Sequence, residues 1–307
     1  MAARALLITG ATGKQGGAVI NALLKANANF EILALTRNTQ SASAQRLLQK
    51  SASIKLVSGN LDTIDDVSRK RNQLPRLLSG ECSVCRLSPM GGGQNPQSEE
   101  RQGKDLVDAS LKNGIKTFVY SSVDRSGSKS DNNPTNIPHF ISKHNIEQHL
   151  FEKTRETAMS YTVLRPVAFF ENLAPGFIGN VFSTSWQTVL GKDRKLQLIA
   201  TSDIVFFGAE AFLKPDEYSN KKLSLAGDEL TFDQFKDIFK KQTGGNLPTT
   251  FTLIAGALNR MVKELGYMFK WFRDVGYAAD IPKLKTMKPD LKDFKTWLAT
   301  ESAWKKN

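Results

Sequence analysis

The chain has 307 residues, 40% of them hydrophobic and 23% charged, with a formal net charge of +12. That length suits one large domain with a good core, or a large domain carrying a smaller one, and no apolar run approaches the ~18 to 20 residues that span a bilayer, which argues against a helical membrane anchor. The basic excess is scattered apart from Arg69, Lys70, Arg71, Arg76 and Arg86 and comes with no nucleic-acid-binding signature, so it suits a small anionic ligand and not direct binding of DNA or RNA.

The opening "MAARALLITGATG" is expected to lead straight into a strand (4–9) with no cleavable apolar leader, which gives the cytoplasm as the expected location and the nucleus as a second. After that strand comes "GATGKQGG", in which Gly10, Gly13 and Gly16 are spaced G-x-x-G-x-x-G ahead of a helix predicted over 15–26. Glycine there allows a tight turn, close approach of backbone to a pyrophosphate, and packing of helix on sheet. Gly10, Ala11, Thr12, Gly13, Lys14, Gln15 and Gly16 are therefore the expected nucleotide loop, with Lys14 a cation near the phosphates.

A second strand is predicted over 30–36, ending at "LTRN". NAD-specific proteins carry an acid there for the ribose 2'-hydroxyl; this chain has Arg37 followed by Asn38. A guanidinium pairs with a 2'-phosphate that an acid would repel, so NADP(H) is the expected cofactor; the alternative is an arginine that merely faces solvent. A third strand (53–59) leads to Asp62, placed either for an adenine contact or to cap the next helix.

A doubly wound fold needs a buried fourth strand before the helix predicted over 97–113. The chain offers "RKRNQLPRLLSGECSVCRLSP", which is basic and poor in apolar residues, so no buried strand is expected there. Cys82 and Cys85 supply two ligands where a structural zinc site needs four, and nothing completes them; a redox pair should open a helix, and Pro89 and glycines follow instead. No metal site is expected, and two cysteines so close together cannot form a disulfide framework, which agrees with a reducing compartment. Back-translating 79–87 with permitted codons and reading from the last base of the Leu78 codon gives Ile-Trp-Gly-Val-Phe-Ser-Val-Gln-Thr, a strand-like run. Residues 69–89 thus have the character of an out-of-frame translation.

Gly114 sits where a left-handed helix stop belongs, followed by strands at 115–122 and 160–166 around a helix predicted over 141–158. Beyond 166 come "FFENL", a strand-like 195–203, a helix near 204–213, a capping box from Thr231 to Gln234, and an aromatic-rich end at helical spacing. That end reads as the packing of a smaller lobe, with one wall of a substrate pocket as the functional alternative.

Taken together, "GATGKQGG", "LTRN", "GNLD", "SEERQGK", "VYSSVD", "PHFISKHNIE" and "RPVAFFENL" resemble the NmrA-like family of atypical short-chain dehydrogenases, its fungal members above all, over 6–297 with a break near 69–89. The resemblance implies an α/β fold: a Rossmann-type doubly wound parallel sheet (1–165) with a smaller C-terminal α/β lobe (166–307), part of which returns to the sheet. It also implies NADP(H) binding, with Phe169, Phe170, Glu171 and Asn172 around the nicotinamide and Lys143 on its ribose. Typical short-chain dehydrogenases use a Ser, and a Tyr four residues before a Lys; here Ser122 ends a strand and His139 stands four residues before Lys143. Three readings stay open: His139 replaces the tyrosine as proton donor, His139 only begins a helix and the site no longer catalyses, or Lys143 itself shuttles the proton. The implied functions are hydride transfer from NADPH to a small organic substrate, in a setting such as fungal secondary metabolism, or a non-catalytic redox sensor and transcriptional co-regulator acting through a protein partner.

Overall fold

The computed structural model describes residues 4–64, 82–86, 95–261 and 263–304. Ten strands lie among them: β1 Arg4–Ile8, β2 Phe30–Thr36, β3 Ile54–Ser58, β4 Cys82–Arg86, β5 Thr117–Ser121, β6 Ser160–Pro166, β7 Ala168–Phe169, β8 Leu196–Ile199, β9 Lys221–Leu225 and β10 Asp228–Leu230. Seven form a sheet in the order β3-β2-β1-β4-β5-β6-β9, and β10-β8-β7 form a second. The neighbours from β3 through to β6 run parallel. Strand order reverses between β1 and β4, and in such sheets ligands bind outside the carboxyl ends of the strands at that point.

Buried parallel strands read as continuous apolar runs because helices cover both faces, and β1, β2 and β5 are buried almost throughout. The fourth strand is where the expectation from sequence is corrected. Cys82–Arg86 form β4, with Ala5 opposite Cys82 and Ile8 opposite Cys85 on one side, and Ser83 opposite Thr117 and Arg86 opposite Tyr120 on the other. Val84 is 1% exposed. A central slot satisfies the main chain on both edges, and this outweighs weak side-chain preference for strand. The remainder of 69–89 lies outside the described residues.

Other boundaries shift for local reasons. The strand expected over 195–203 stops at Ile199, because Thr201 to Asp203 open the helix Thr201–Leu213. The helix expected over 141–158 is Pro138–Thr154; Pro138 starts it readily, since proline lacks the N–H that a first turn leaves unpaired. The helix Pro96–Lys112 opens on an Asn95/Ser98 capping box and stops at Gly114, whose φ is +67°. The Thr231/Gln234 capping box is formed.

The chain forms two compact units: Met1–Ser122, Ser142–Leu164 and Val205–Leu223 in the first, and Val123–Ile141, Arg165–Ile204 and Ser224–Asn307 in the second. In the first, Leu7, Leu33, Val84, Phe118 and Val163 pack against Leu106, Val107, Ile146 and Leu150 from its helices. The second has a core of rings, including Phe170, Trp186, Phe235, Phe269, Phe294 and Trp297. No helix among the described residues is long and apolar enough to cross a membrane.

Candidate functional site

In the first unit the chain leaves β1 through Gly10, whose φ of +62° suits glycine, and Gly13 N–H donates back to the Gly10 carbonyl at 2.9 Å. The helix Lys14–Lys25 then starts at Gly13 with no side chain capping it and no acid in its first turn. Its first amides and the positive end of its dipole make a donor set for an anion. A Cβ at Gly16 would lie 2.7 Å from the Gly10 carbonyl carbon and 2.9 Å from Ala11 Cα, so only glycine lets the helix seat on the turn. Ala11 is fully buried, Thr12 is exposed, and the buried Gln15 Oε1 accepts no hydrogen bond from any described residue. The Lys14 side chain lies outside the described residues.

β2 lies beside β1 with Ala34 opposite Ile8, so Arg37 follows at the same end of the sheet as Gly10. Arg37 is exposed, with no hydrogen bond or ion pair to any described residue. Asn38 builds the adjoining turn: its Oδ1 accepts from Gln40 N–H at 2.8 Å and its carbonyl from Ser41 Oγ at 3.0 Å. Asp62 ties the turn after β3 to the helix Pro96–Lys112, accepting from Arg101 at 2.6 Å and Gln102 at 3.0 Å. The Gln102 amide, with Asn60 and Arg101, holds its carboxyl below the ordinary range. The side chain thus serves a cross-link that neither sequence reading named.

Ser122 closes the end of β5, its N–H donating to the Leu164 carbonyl at 2.7 Å, and it is 4% exposed. Lys143 is 7% exposed, and its Nζ donates to Glu99 Oε1 at 2.5 Å, while Ser142 Oγ donates to Glu99 Oε2 at 2.9 Å. Glu99, itself buried, is a residue that sequence reasoning missed. The signal was present: Glu99 lies on the stripe of buried positions Gln102, Gly103, Leu106 and Ser110 along its helix, and a carboxylate on a buried stripe needs a cation. A Cβ at Gly103 would come within 2.5 Å of Ile146 Cγ1, so glycine allows the close approach that brings Glu99 to Lys143.

In the second unit His139 occupies the first turn of the helix Pro138–Thr154. Its backbone N–H donates to Glu264 Oε1 at 3.0 Å, and its ring Nδ1 bonds the same oxygen. Phe140 meets the imidazole edge-on at 4.7 Å. Nothing local predicts Glu264, which lies 125 residues away. Of the expected nicotinamide wrap, Phe170 is fully buried and stacks on Trp297 at 5.4 Å. Glu171 Oε1 accepts from Thr201 N–H at 3.0 Å and Oγ1 at 2.7 Å, capping the helix Thr201–Leu213, and its buried Oε2 accepts no hydrogen bond from any described residue. Phe169 and Asn172 are half-buried.

A cavity of about 560 Å³ lined by Arg155, Ser160, Asn220 and Lys222 lies at the amino end of β6, the opposite end of the sheet from the glycine turn. Among the described residues no group of three His, Cys, Asp or Glu side chains is placed to hold a metal.

The family model described as the NmrA-like family matches residues 3–298. A Dictyostelium discoideum NmrA-like family domain-containing protein is 26% identical over 88% of this chain and 88% of its own. The NmrA-like family domain-containing oxidoreductase ptmS of Penicillium ochrochloron is 23% identical over 96% and 97%. Among solved structures, triphenylmethane reductase of Citrobacter sp., complexed with NADP(H), superposes with a TM-score of 0.68 at 19% identity over 95% of this chain and 98% of its own. NmrA, a negative transcriptional regulator solved with NADP, superposes at 0.64 with 14% identity over 98% and 96%.

Proposed function

We propose, since this chain belongs to the NmrA-like family, that it is an NADP(H)-dependent oxidoreductase acting on a small organic substrate. The observation that carries this reading is the uncapped helix start behind the Gly10 to Gly16 turn, one strand away from the exposed Arg37. The donor set fits a dinucleotide: main-chain amides for a pyrophosphate and a guanidinium for a 2'-phosphate. That triphenylmethane reductase and NmrA were solved with NADP(H) and NADP supports the choice of cofactor, and the oxidoreductase naming of ptmS supports the activity.

Bound there, the dinucleotide would supply a hydride to an electrophilic carbon of a carbonyl, imine or enone. The chain's own residues do the rest. Glu99 holds the Lys143 ammonium at a fixed point, from which it would reach a ribose hydroxyl. Ser122, at the end of β5, stands with Lys143 in the first unit as a hydroxyl donor for substrate. Lys143, an ammonium in the same unit as the glycine turn, would shuttle the proton that balances the hydride. In the second unit Phe169 and Asn172 are half-buried, and Phe170 and Glu171 act through the ring core and the helix cap.

NADPH oxidation against a panel of carbonyl, imine and enone substrates tests the reading. Turnover that disappears in Lys143→Ala while NADPH still binds supports it; tight NADPH binding with no turnover across the panel overturns it in favour of a sensor.

A further inference from the structure

We propose that the cavity at the amino end of β6 binds a small organic oxyanion that carries an aromatic ring, a carboxylate or a phosphate ester, at a site separate from the dinucleotide. The proposal does not depend on the reductase reading, because the cavity lies at the opposite end of the sheet from the glycine turn.

The cavity measures about 560 Å³, in the range of small-molecule pockets. It belongs wholly to the first unit, lined by the end of the helix Pro138–Thr154, the loop into β6 and the turn that enters β9. Of the described residues that line it, Arg155 and Lys222 are cations and none is an acid. Three donors lie on its wall. Arg155 is exposed, and its guanidinium bonds no described residue. Asn220 Oδ1 accepts Tyr161 N–H at 3.3 Å, which turns its Nδ2 hydrogens the other way. The exposed Ser219 hydroxyl is the third. Lys222 contributes through its charge, with Nζ 5.1 Å from the centre of the Phe151 ring. Donors of this kind select a group that only accepts, which describes a carboxylate or an ionised phosphate.

The aromatic part follows from the opposite side of the lining. Phe151 and Tyr161 are half-buried, with ring centroids 4.9 Å apart and planes tilted by 41°, and they give the cavity a wall on which a further ring can pack. One effect opposes an anion: the helix Pro138–Thr154 ends here, and a helix C-terminus carries about half a negative charge. Its closing carbonyls are occupied, Leu150 O by Thr154 Oγ1 at 2.7 Å and Thr154 O by Thr157 Oγ1 at 3.2 Å. The two full positive charges of Arg155 and Lys222 outweigh what is left.

Calorimetric titration of the full chain with phenyl phosphate and benzoate tests the site, with inorganic phosphate and acetate as the same head groups without the ring. One or both ring-bearing probes should bind saturably with a dissociation constant of about 1 mM or tighter, and the tighter one identifies the head group. Its ringless counterpart should bind about fivefold more weakly. Saturating NADPH should leave this binding unchanged. Arg155→Gln should weaken it about tenfold or more. Asn220→Gly should weaken it as well, in a backbone whose φ of +54° suits glycine. Tyr161→Leu should abolish the advantage of the ring and leave binding of the ringless ion in place. Thermal unfolding verifies that each variant is folded. The proposal is overturned by an absence of saturable binding up to about 10 mM of either ring-bearing probe, by equal affinity with and without the ring, or by undiminished binding in Arg155→Gln. Displacement of the probe by NADPH would put it at the glycine turn and overturn the proposal too.

Discussion

Lys143 Nζ and Glu99 Oε1 are 2.5 Å apart, and each side chain is 9% exposed. A buried pair of this kind is weak evidence of net stabilisation, yet removing one partner takes a close counter-charge from a charge in the interior. Glu99→Ala should therefore cost about 3 to 5 kcal/mol in urea unfolding, whereas Glu99→Met combined with Lys143→Met should recover most of that loss. Equal destabilisation in the single and double variants would refute the pairing.

Arg37 stands at the carboxyl end of β2, exposed and with its guanidinium engaged by no described residue. Replacing it by aspartate reverses the charge offered to a 2'-phosphate and restores an acceptor suited to a 2'-hydroxyl. Fluorescence titration of Arg37→Asp should show NADPH affinity reduced about tenfold or more and NADH affinity held or improved. Parallel losses for both cofactors would remove Arg37 from the site.

Two carboxyls should respond to pH in opposite senses. The Gln102 amide foremost, with Asn60 and Arg101, holds Asp62 below its ordinary 3.8, whereas burial pushes Asp228 above it. With a depressed folded value, Asp62 contributes stability above 3.8 that is lost as pH falls through the folded value. With a raised folded value, Asp228 contributes below 3.8 and loses that contribution as pH rises through the folded value. Urea midpoints between about pH 3 and about pH 6 should show Asp62→Asn converging on the unaltered protein as pH falls, and Asp228→Asn gaining on it as pH rises.

The segment around β4 makes a prediction about the transcript. In the alternative frame, Cys82–Arg86 become Val-Phe-Ser-Val-Gln, a better match to a central parallel strand in the same register against Ala5 to Ile8. We propose that a one-base offset opens near residue 69 and closes before Met90. Sequencing cDNA across the segment should reveal it, and a message that encodes the present residues without interruption disposes of the idea.

The contrast between β1 and β4 shows what could be read in advance. β1, β2, β5 and β6 announce themselves as apolar runs because they are sandwiched between helices, and the glycine turn, the Gly114 stop and the Thr231 capping box each follow from a backbone conformation or an unpaired amide that only a few residue types satisfy. β4 was illegible because its stability comes from neighbours on both edges, which Cys-Ser-Val-Cys-Arg does not advertise. At the candidate site His139 and Lys143 could be named from spacing alone. Their carboxylate partners lie 125 and 44 residues away, distances over which a local pattern carries no information. The same limit applies to Glu171, whose helix cap depends on where Thr201 comes to rest.

Gly103 sets the spacing of two helices. Because its hydrogen stands where any side chain would meet Ile146 Cγ1 within 2.5 Å, the gap between two helices is set by a missing methyl group. Glu99 lies one helical turn from that point of closest approach, so the Glu99–Lys143 distance works like a caliper whose jaw stop is residue 103. Variation there would act as a shim, spreading the jaws while leaving every reactive group chemically intact. In a mutational survey position 103 would then look catalytic, although it carries no chemistry of its own.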